Sequence, residues 1–224
     1  MQSLGLAYAV YPAIVELYPE RESQNRALQR HLTFFNTHPY VAAAIIGGVL
    51  HHEVRIAKGL EPAERVTSFK AALMGPLAAL GDGFFWLSLR PAVGAVCAAL
   101  VPVLGWRAPL LFLVLYNAVH LSLRAWLYRL GLREGDRLVA ELAQKNLPAR
   151  GARLRIITAL SAGGAAAWLA IRFGAQEGGE WAGDLAAGCL LLGAISHLVV
   201  SRASLRLGAL YLAAALAVAA GAFL

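Results

Sequence analysis

Gly75-Pro76-Leu77-Ala78-Ala79-Leu80-Gly81-Asp82-Gly83, followed by Arg90-Pro91, is the stretch on which the fold turns. It is apolar on both sides, yet it holds three glycines, a proline and a carboxylate. Pro76 removes a backbone donor and crowds the preceding turn, and each glycine loosens a helix. At membrane depth a break is tolerated only where the freed backbone groups are buried in protein or line a polar cavity. Broken hydrophobic segments of this kind are where many transporters bind substrate. The composition therefore predicts a re-entrant or discontinuous element over residues 75–91, with Asp82 near its tip. In a soluble protein the same stretch reads as a loop between helices, with Asp82 capping Gly83-Phe84-Phe85-Trp86.

The rest of the chain separates these readings. Its 224 residues are 59% hydrophobic and 15% charged, where soluble domains run at about one quarter charged; mean hydropathy is +0.60. Uncharged runs occupy 91–106, 108–123, 156–171, 185–201 and 207–224. Each falls a little short of the roughly 20 residues that span a bilayer, and flanking arginines extend it by snorkelling. These runs are apolar all round rather than striped, as membrane helices are. The expected fold is all-α: a polytopic integral membrane protein with two re-entrant or broken helical arms in its N-terminal half and about five spanning helices. The net charge of +7 gathers at the ends of the apolar runs, which argues against nucleic acid and for topology signals. Cys97 and Cys189 sit inside apolar runs and read as small buried hydrophobes. Zinc spacing, a phosphate-binding loop and a dinucleotide fingerprint are absent, so neither metal nor cofactor is expected. Residues 1–12 lack a basic leader, and a signal peptide is not expected.

The polar patch from Glu20 to Arg26, leading into Ala27-Leu28-Gln29-Arg30-His31-Leu32, predicts a helix at the membrane surface with a solvated face. Residues 41–50 form a second short apolar arm. Ahead of it, either Asn36 or Thr37 caps the arm that Pro39 opens, or Asn36, Thr37 and His38 line a cavity at its mouth. His51-His52-Glu53 points in several directions on a helix and reads as an interfacial polar turn rather than a metal site. Residues 55–70 read as a polar linker. Between Arg129 and Arg155 lie seven basic residues and three acids, whereas 172–184 holds one basic residue and three acids. Positive-inside counting places 129–155 and the arginine turn 202–206 in the cytoplasm, and 173–184 and the C-terminus outside.

These residues resemble a known family. Arg30-His31-Leu32-Thr33-Phe34-Phe35-Asn36-Thr37-His38-Pro39, and Leu73 through Asp82 with Trp86 and Arg90-Pro91, are similar to two motifs of the IID subunit of mannose/fructose/sorbose-family sugar phosphotransferase systems. Met1-Gln2-Ser3-Leu4-Gly5, Tyr11-Pro12-Ala13-Ile14 and Leu17-Tyr18-Pro19 are similar to its opening segment, so the resemblance covers residues 1–130. It implies a single IID-type membrane domain over 1–224, with surface helix and arms in 1–91 and spanning helices in 92–224. It implies a multi-pass protein of the bacterial inner (cytoplasmic) membrane. There it acts with a IIC subunit to bind and translocate a hexose that IIB phosphorylates, while IIA and IIB carry the phosphoryl group. IIC–IID pairs are expected to assemble as a trimer in the lipid bilayer.

On this resemblance Phe35, Asn36, Thr37 and His38 line or shape the sugar path, since hexose hydroxyls pair with amide, hydroxyl and imidazole groups. Asp82 is a hydroxyl acceptor or a gating partner of Arg90; alternatively the two make a buried pair, or Asp82 caps a helix. Gly75, Pro76, Gly81 and Gly83 form a structural hinge. No residue of this chain is expected to be catalytic. The resemblance implies an amphipathic N-terminal arm ahead of Met1 that is either missing or left out of this sequence, and Ala79 stands where the motif commonly has glycine. Both features leave an alternative: a degenerate or regulatory subunit that anchors or senses phosphotransferase components without moving sugar. A membrane enzyme or secondary carrier acting without IIC is a third reading.

Overall fold

The stretch around Pro76 does not break. In a computed structural model of the chain, which describes residues 2–176, helix α4 (Glu64–Gly81) carries Pro76 in its interior, passes into a π-helical segment, Asp82–Leu89, and continues as α5 (Arg90–Ala99). The run from Glu64 to Ala99 is one helix of 36 residues. A discontinuity was expected; the backbone widens instead. In an apolar setting every unmade backbone hydrogen bond costs several kcal/mol, so a change of winding costs less than an interruption. The 41–50 arm is likewise the first part of an unbroken helix, α3 (Ala42–Ala57).

Helices α1 (Ser3–Leu17) and α2 (Arg21–Leu32) precede α3; α6 (Val101–Leu104), α7 (Arg107–Glu134), α8 (Leu138–Gln144) and α9 (Leu147–Gln176) follow α5. Among the described residues every regular element is helical. Among the described residues, two helices are long and apolar enough to cross a membrane: Glu64–Ala99 at mean hydropathy 1.3 and Arg107–Gln144 at 1.5. The expected linker 55–70 is mostly helical. Gly59, at φ +69°, ends α3: its N–H donates to the Ile56 carbonyl and that of Leu60 to Arg55, closing the two ladder bonds of a Schellman turn. The basic stretch 129–155 is also helical rather than a loop, interrupted by Gly135 (φ +49°) and Asn146 (φ 45°). The expected spans 185–201 and 207–224 and the turn 202–206 lie outside the described residues, as does most of 173–184.

The described residues fall into two compact units, Met1–Phe84 with Asn117–Pro148, and Phe85–Tyr116 with 149–176. In the first, the core gathers Leu6, Val10 and Ile14 of α1, Ile45 and Val49 of α3, and Val66, Phe69 and Leu73 of α4. Both α3 and α4 obey helical spacing: Ile45, Val49 and Glu53 share one buried face, as do Val66, Phe69, Lys70, Leu73 and Leu77. Helix α3 meets α7 backbone to backbone. A methyl added at Gly47 would strike the Tyr128 carbonyl, and one at Gly131 would strike the Ala44 carbonyl. Such reciprocal small residues are how helices approach closely where lipid, not water, is the alternative neighbour. In the second unit Ser88 is buried and accepts a hydrogen bond from Arg155 Nη1 at 3.1 Å. Gly94, Cys97, Val101, Ala108 and Phe112 line an apolar groove of about 400 Å³ there.

The α3–α7 crossing makes a testable distinction among glycines. Gly47→Ala or Gly131→Ala forces backbone apart and should cost about 1–3 kcal/mol, read as a lower unfolding temperature in detergent. Gly75→Ala meets nothing within 4 Å and should leave that temperature unchanged or slightly raised.

Candidate functional site

After Thr33 the chain runs without regular structure to His38. Side chains of an extended segment alternate, and these do: Phe34 is 58% exposed, Phe35 is buried, Asn36 is exposed and Thr37 is buried. The buried side is fastened to the start of α1. Phe35 N–H donates to Ser3 Oγ (3.1 Å) and its carbonyl accepts from Gln2 N–H (3.0 Å). The Gln2 side chain closes on Thr37 with both ends, Nε2 donating to the Thr37 carbonyl (2.7 Å) and Oε1 accepting from the Thr37 N–H (3.2 Å). Phe35 and Thr37 thus anchor the segment, and Phe34 and Asn36 are presented outward.

His38 is buried, and it, rather than Asn36 or Thr37, caps the entry to α3. Its carbonyl accepts from Val41 and Ala42 N–H at 3.1 and 2.9 Å, and its Nδ1 accepts from Tyr40 N–H at 3.2 Å. The ring packs on Tyr40 at 5.2 Å, and Tyr40 on His120 of α7 at 4.4 Å. His120 was not singled out from the sequence; its signal is an imidazole within a long apolar run. The opposite wall for His38 is Gly81, where any side-chain carbon would occupy the imidazole's place. Gly81 is therefore a notch. Burial lowers the His38 pKa, and the neighbouring Asp82 charge opposes that shift. Asp82 and Arg90 are both exposed, so they do not form the buried pair that was one expectation. The Arg90 guanidinium lies 5.5 Å over the Trp86 ring. Gly75 and Gly83 have open space around them, and Pro76 lies inside α4.

Below this segment lies a cluster that sequence reasoning missed. Glu53, taken for part of an interfacial turn, is 0% exposed. Its carboxylate accepts from Arg30 Nε (2.7 Å) and Nη2 (2.5 Å), Tyr18 Oη (2.8 Å) and His31 Nε2 (2.8 Å). Burial alone would raise its pKa; the His31 and Arg30 hydrogen bonds and the Arg30 charge outweigh burial and bring it to about 2. Burial pushes Tyr18 up to about 12, helped by its bond to Glu53. Burial holds His31 below its ordinary value despite Glu53, which keeps it neutral with Nε2 as the donor. Lys70, also buried, donates to the Arg30 carbonyl (2.5 Å) and to Thr33 Oγ1 (3.1 Å). The missed signal was the register of Glu53 on the Ile45–Val49 face, where a charge demands partners. At the far end of α3, His52 Nδ1 meets Glu61 at 2.7 Å, Arg55 pairs with Glu61, and Arg65 pairs with Asp136. Among the described residues no cluster suits a metal ion.

The model of the PTS system mannose/fructose/sorbose family IID component matches residues 1–176. This chain belongs to that IID family. It is 40% identical over 144 residues to the mannose-specific EIID component of Escherichia coli K12, covering 63% of this chain and 51% of that one. With the fructose permease IID component of Bacillus subtilis 168 the identity is 37% over 145 residues, 64% and 52% of the two chains. It thus spans about half the length of the curated relatives it matches. Among solved structures it is similar to a chain of the mannose transporter ManYZ in complex with microcin E492, with TM-score 0.58, 37% identity, and 72% and 60% coverage. A chain described as a membrane protein aligns at TM-score 0.63, also 37% identical, covering 70% of this chain and 59% of that one. This IID chain is therefore helical throughout its described elements, with membrane-competent helices, and similar to a chain of a membrane transporter.

Two outcomes follow for the IID site. Glu53 titrates below its ordinary value, so its contribution to stability is complete above about pH 4.5 and disappears as pH falls through about 2. Unfolding of the detergent-solubilised chain should show that acid limb, and Glu53→Gln should flatten it. Gly81→Ala should displace the His38 ring, visible as a shifted imidazole resonance, at a cost of about 1–3 kcal/mol.

Proposed function

We propose that this IID chain is the working membrane subunit of a phosphoenolpyruvate-dependent sugar phosphotransferase system. With a IIC partner it binds and translocates a hexose, which IIB phosphorylates on arrival, IIA and IIB carrying the phosphoryl group. One observation carries the reading. The two motifs on which the resemblance to IID rests, residues 30–39 and 73–91, meet where His38 seats on Gly81 beside Asp82.

Within that reading, Asn36 offers an amide to sugar hydroxyls and Asp82 a carboxylate acceptor, both from exposed positions. Phe35, Thr37 and His38 shape the path from behind. Arg90 gates it, and Gly75, Pro76, Gly81 and Gly83 let the helix change winding as it does so. The short helix α3 enters the bilayer without crossing it, and about five helices span. The chain resides in the bacterial inner membrane with 129–155 cytoplasmic and its C-terminus outside, in a trimer of IIC–IID pairs. Ala79 is exposed, so its extra methyl crowds nothing inside this chain.

Co-purification with its IIC, followed by phosphoenolpyruvate-dependent phosphorylation of labelled hexoses in vesicles supplied with IIA and IIB, tests the reading. A stable pair should phosphorylate a hexose, and Asn36→Ala or Asp82→Ala should lower kcat/KM about ten-fold or more. A stable pair that phosphorylates none would point to the degenerate or regulatory subunit. Failure to bind IIC would contradict both.

A further inference from the structure

Helix α4 touches the extended segment at two places. Near its start, the Lys70 ammonium donates to the Arg30 carbonyl at 2.5 Å and to Thr33 Oγ1 at 3.1 Å, while Thr33 Oγ1 donates to the same Arg30 carbonyl at 2.9 Å. At its end, Gly81 leaves the notch that His38 fills. The two spacings agree: from Lys70 to Gly81 a helix rises about 16 Å, and from Thr33 to His38 an extended chain spans about 17 Å. The two contacts are thus about equally spaced along the helix and along the segment.

The first contact is also chemically matched. The Arg30 carbonyl is in the last turn of α2, where carbonyls lack partners within the helix, and a cation there is favoured by the helix dipole. Lys70 stands on the buried face of α4 with Val66, Phe69, Leu73 and Leu77. A buried ammonium is costly unless it is hydrogen-bonded, so its position is fixed by the oxygens it meets.

We propose that Lys70 is a positioning residue for the sugar path: with Gly81 it clamps residues 33–38 along α4, so that Phe34 and Asn36 face outward at a fixed height. Lys70 does not touch the sugar. The role rests on the reading of residues 35–38 as substrate path, but the clamp itself is a property of this chain alone. Phe34 and Asn36, two residues apart on the exposed side, form an apolar ring face beside an amide, which together suit the C–H and hydroxyl faces of a hexose.

Amide hydrogen exchange on the full chain in detergent tests the clamp. Lys70→Met keeps the length and removes the donors. It should raise exchange at the Phe35 and Thr37 amides about ten-fold or more while residues 42–57 stay protected. Lys70→Arg, which keeps donors, should restore protection. If Lys70→Met also deprotects 42–57, Thr33→Val decides: faster exchange at Phe35 upholds the clamp, and unchanged exchange overturns it. In vesicles with IIC, IIA and IIB, Lys70→Met should raise the hexose KM about five-fold or more with kcat within about two-fold; unchanged KM overturns the positioning role. If the unmodified pair phosphorylates no hexose, the proposed function fails, and the exchange result alone decides the clamp.

Discussion

A carboxylate with no exposure must be paid for in hydrogen bonds, and Glu53 collects four of them. Its partners come from the end of α1 (Tyr18) and from two positions on α2 (Arg30 and His31). Helix α1 also brings an apolar face of Leu6, Val10 and Ile14, but α2 has no such face with which to set its register. Helix α2 is largely polar, with only Ala27 and His31 buried along its length. The bidentate Arg30 fork fixes both the height and the rotation of α2 against α3, because two parallel N–H groups meet two oxygens in one geometry. A buried pair of this kind adds little net stability compared with apolar packing, but losing one partner is expensive. What it supplies is a unique arrangement.

The arrangement then passes outward. Arg30 orients the last turn of α2, whose carbonyl receives Lys70, and the chain leaves Thr33 in an extended path toward His38. On the other side of α3, Gly47 and Gly131 allow α7 to approach to backbone contact, which carries His120 to the Tyr40 ring. The segment from Thr33 to His38 is thereby held from several sides. The π-helical segment begins at Asp82, immediately after the glycine that seats His38. A wider winding at that point is where π-helical turns tend to occur, beside functional residues rather than in ordinary packing.

The helical class and membrane character were legible because hydropathy is additive along the chain and needs no tertiary information. A helix over the polar stretch after Glu20 was legible from the sequence, and α2 spans Arg21–Leu32. The supposed break at Pro76 was misread for a physical reason. Propensity prices a proline or glycine against water, whereas an apolar environment penalises an unmade hydrogen bond more than a strained helix. A buried Asp82–Arg90 pair, one of the alternatives, is excluded because both side chains are exposed, and sequence proximity says nothing about burial. Glu53, Arg30 and Lys70 were each read as solvated charges, since a local view treats Lys, Arg and Glu as surface residues. The burial of Glu53 and Lys70 could have been found by following the apolar registers of α3 and α4. The partners, contributed from 22 to 40 residues away in sequence, could not.

The central claim is that Arg30 and Glu53 act as one unit that orders α1, α2 and α3. A double-mutant cycle with Arg30→Met, Glu53→Leu and the pair combined, read as unfolding free energy of the full chain in detergent, tests it most directly. Each single change strands a buried charge and should cost about 3–5 kcal/mol, while the double change should recover much of that loss, leaving a coupling of about 2 kcal/mol or more. Costs that add to within about 0.5 kcal/mol would contradict the account.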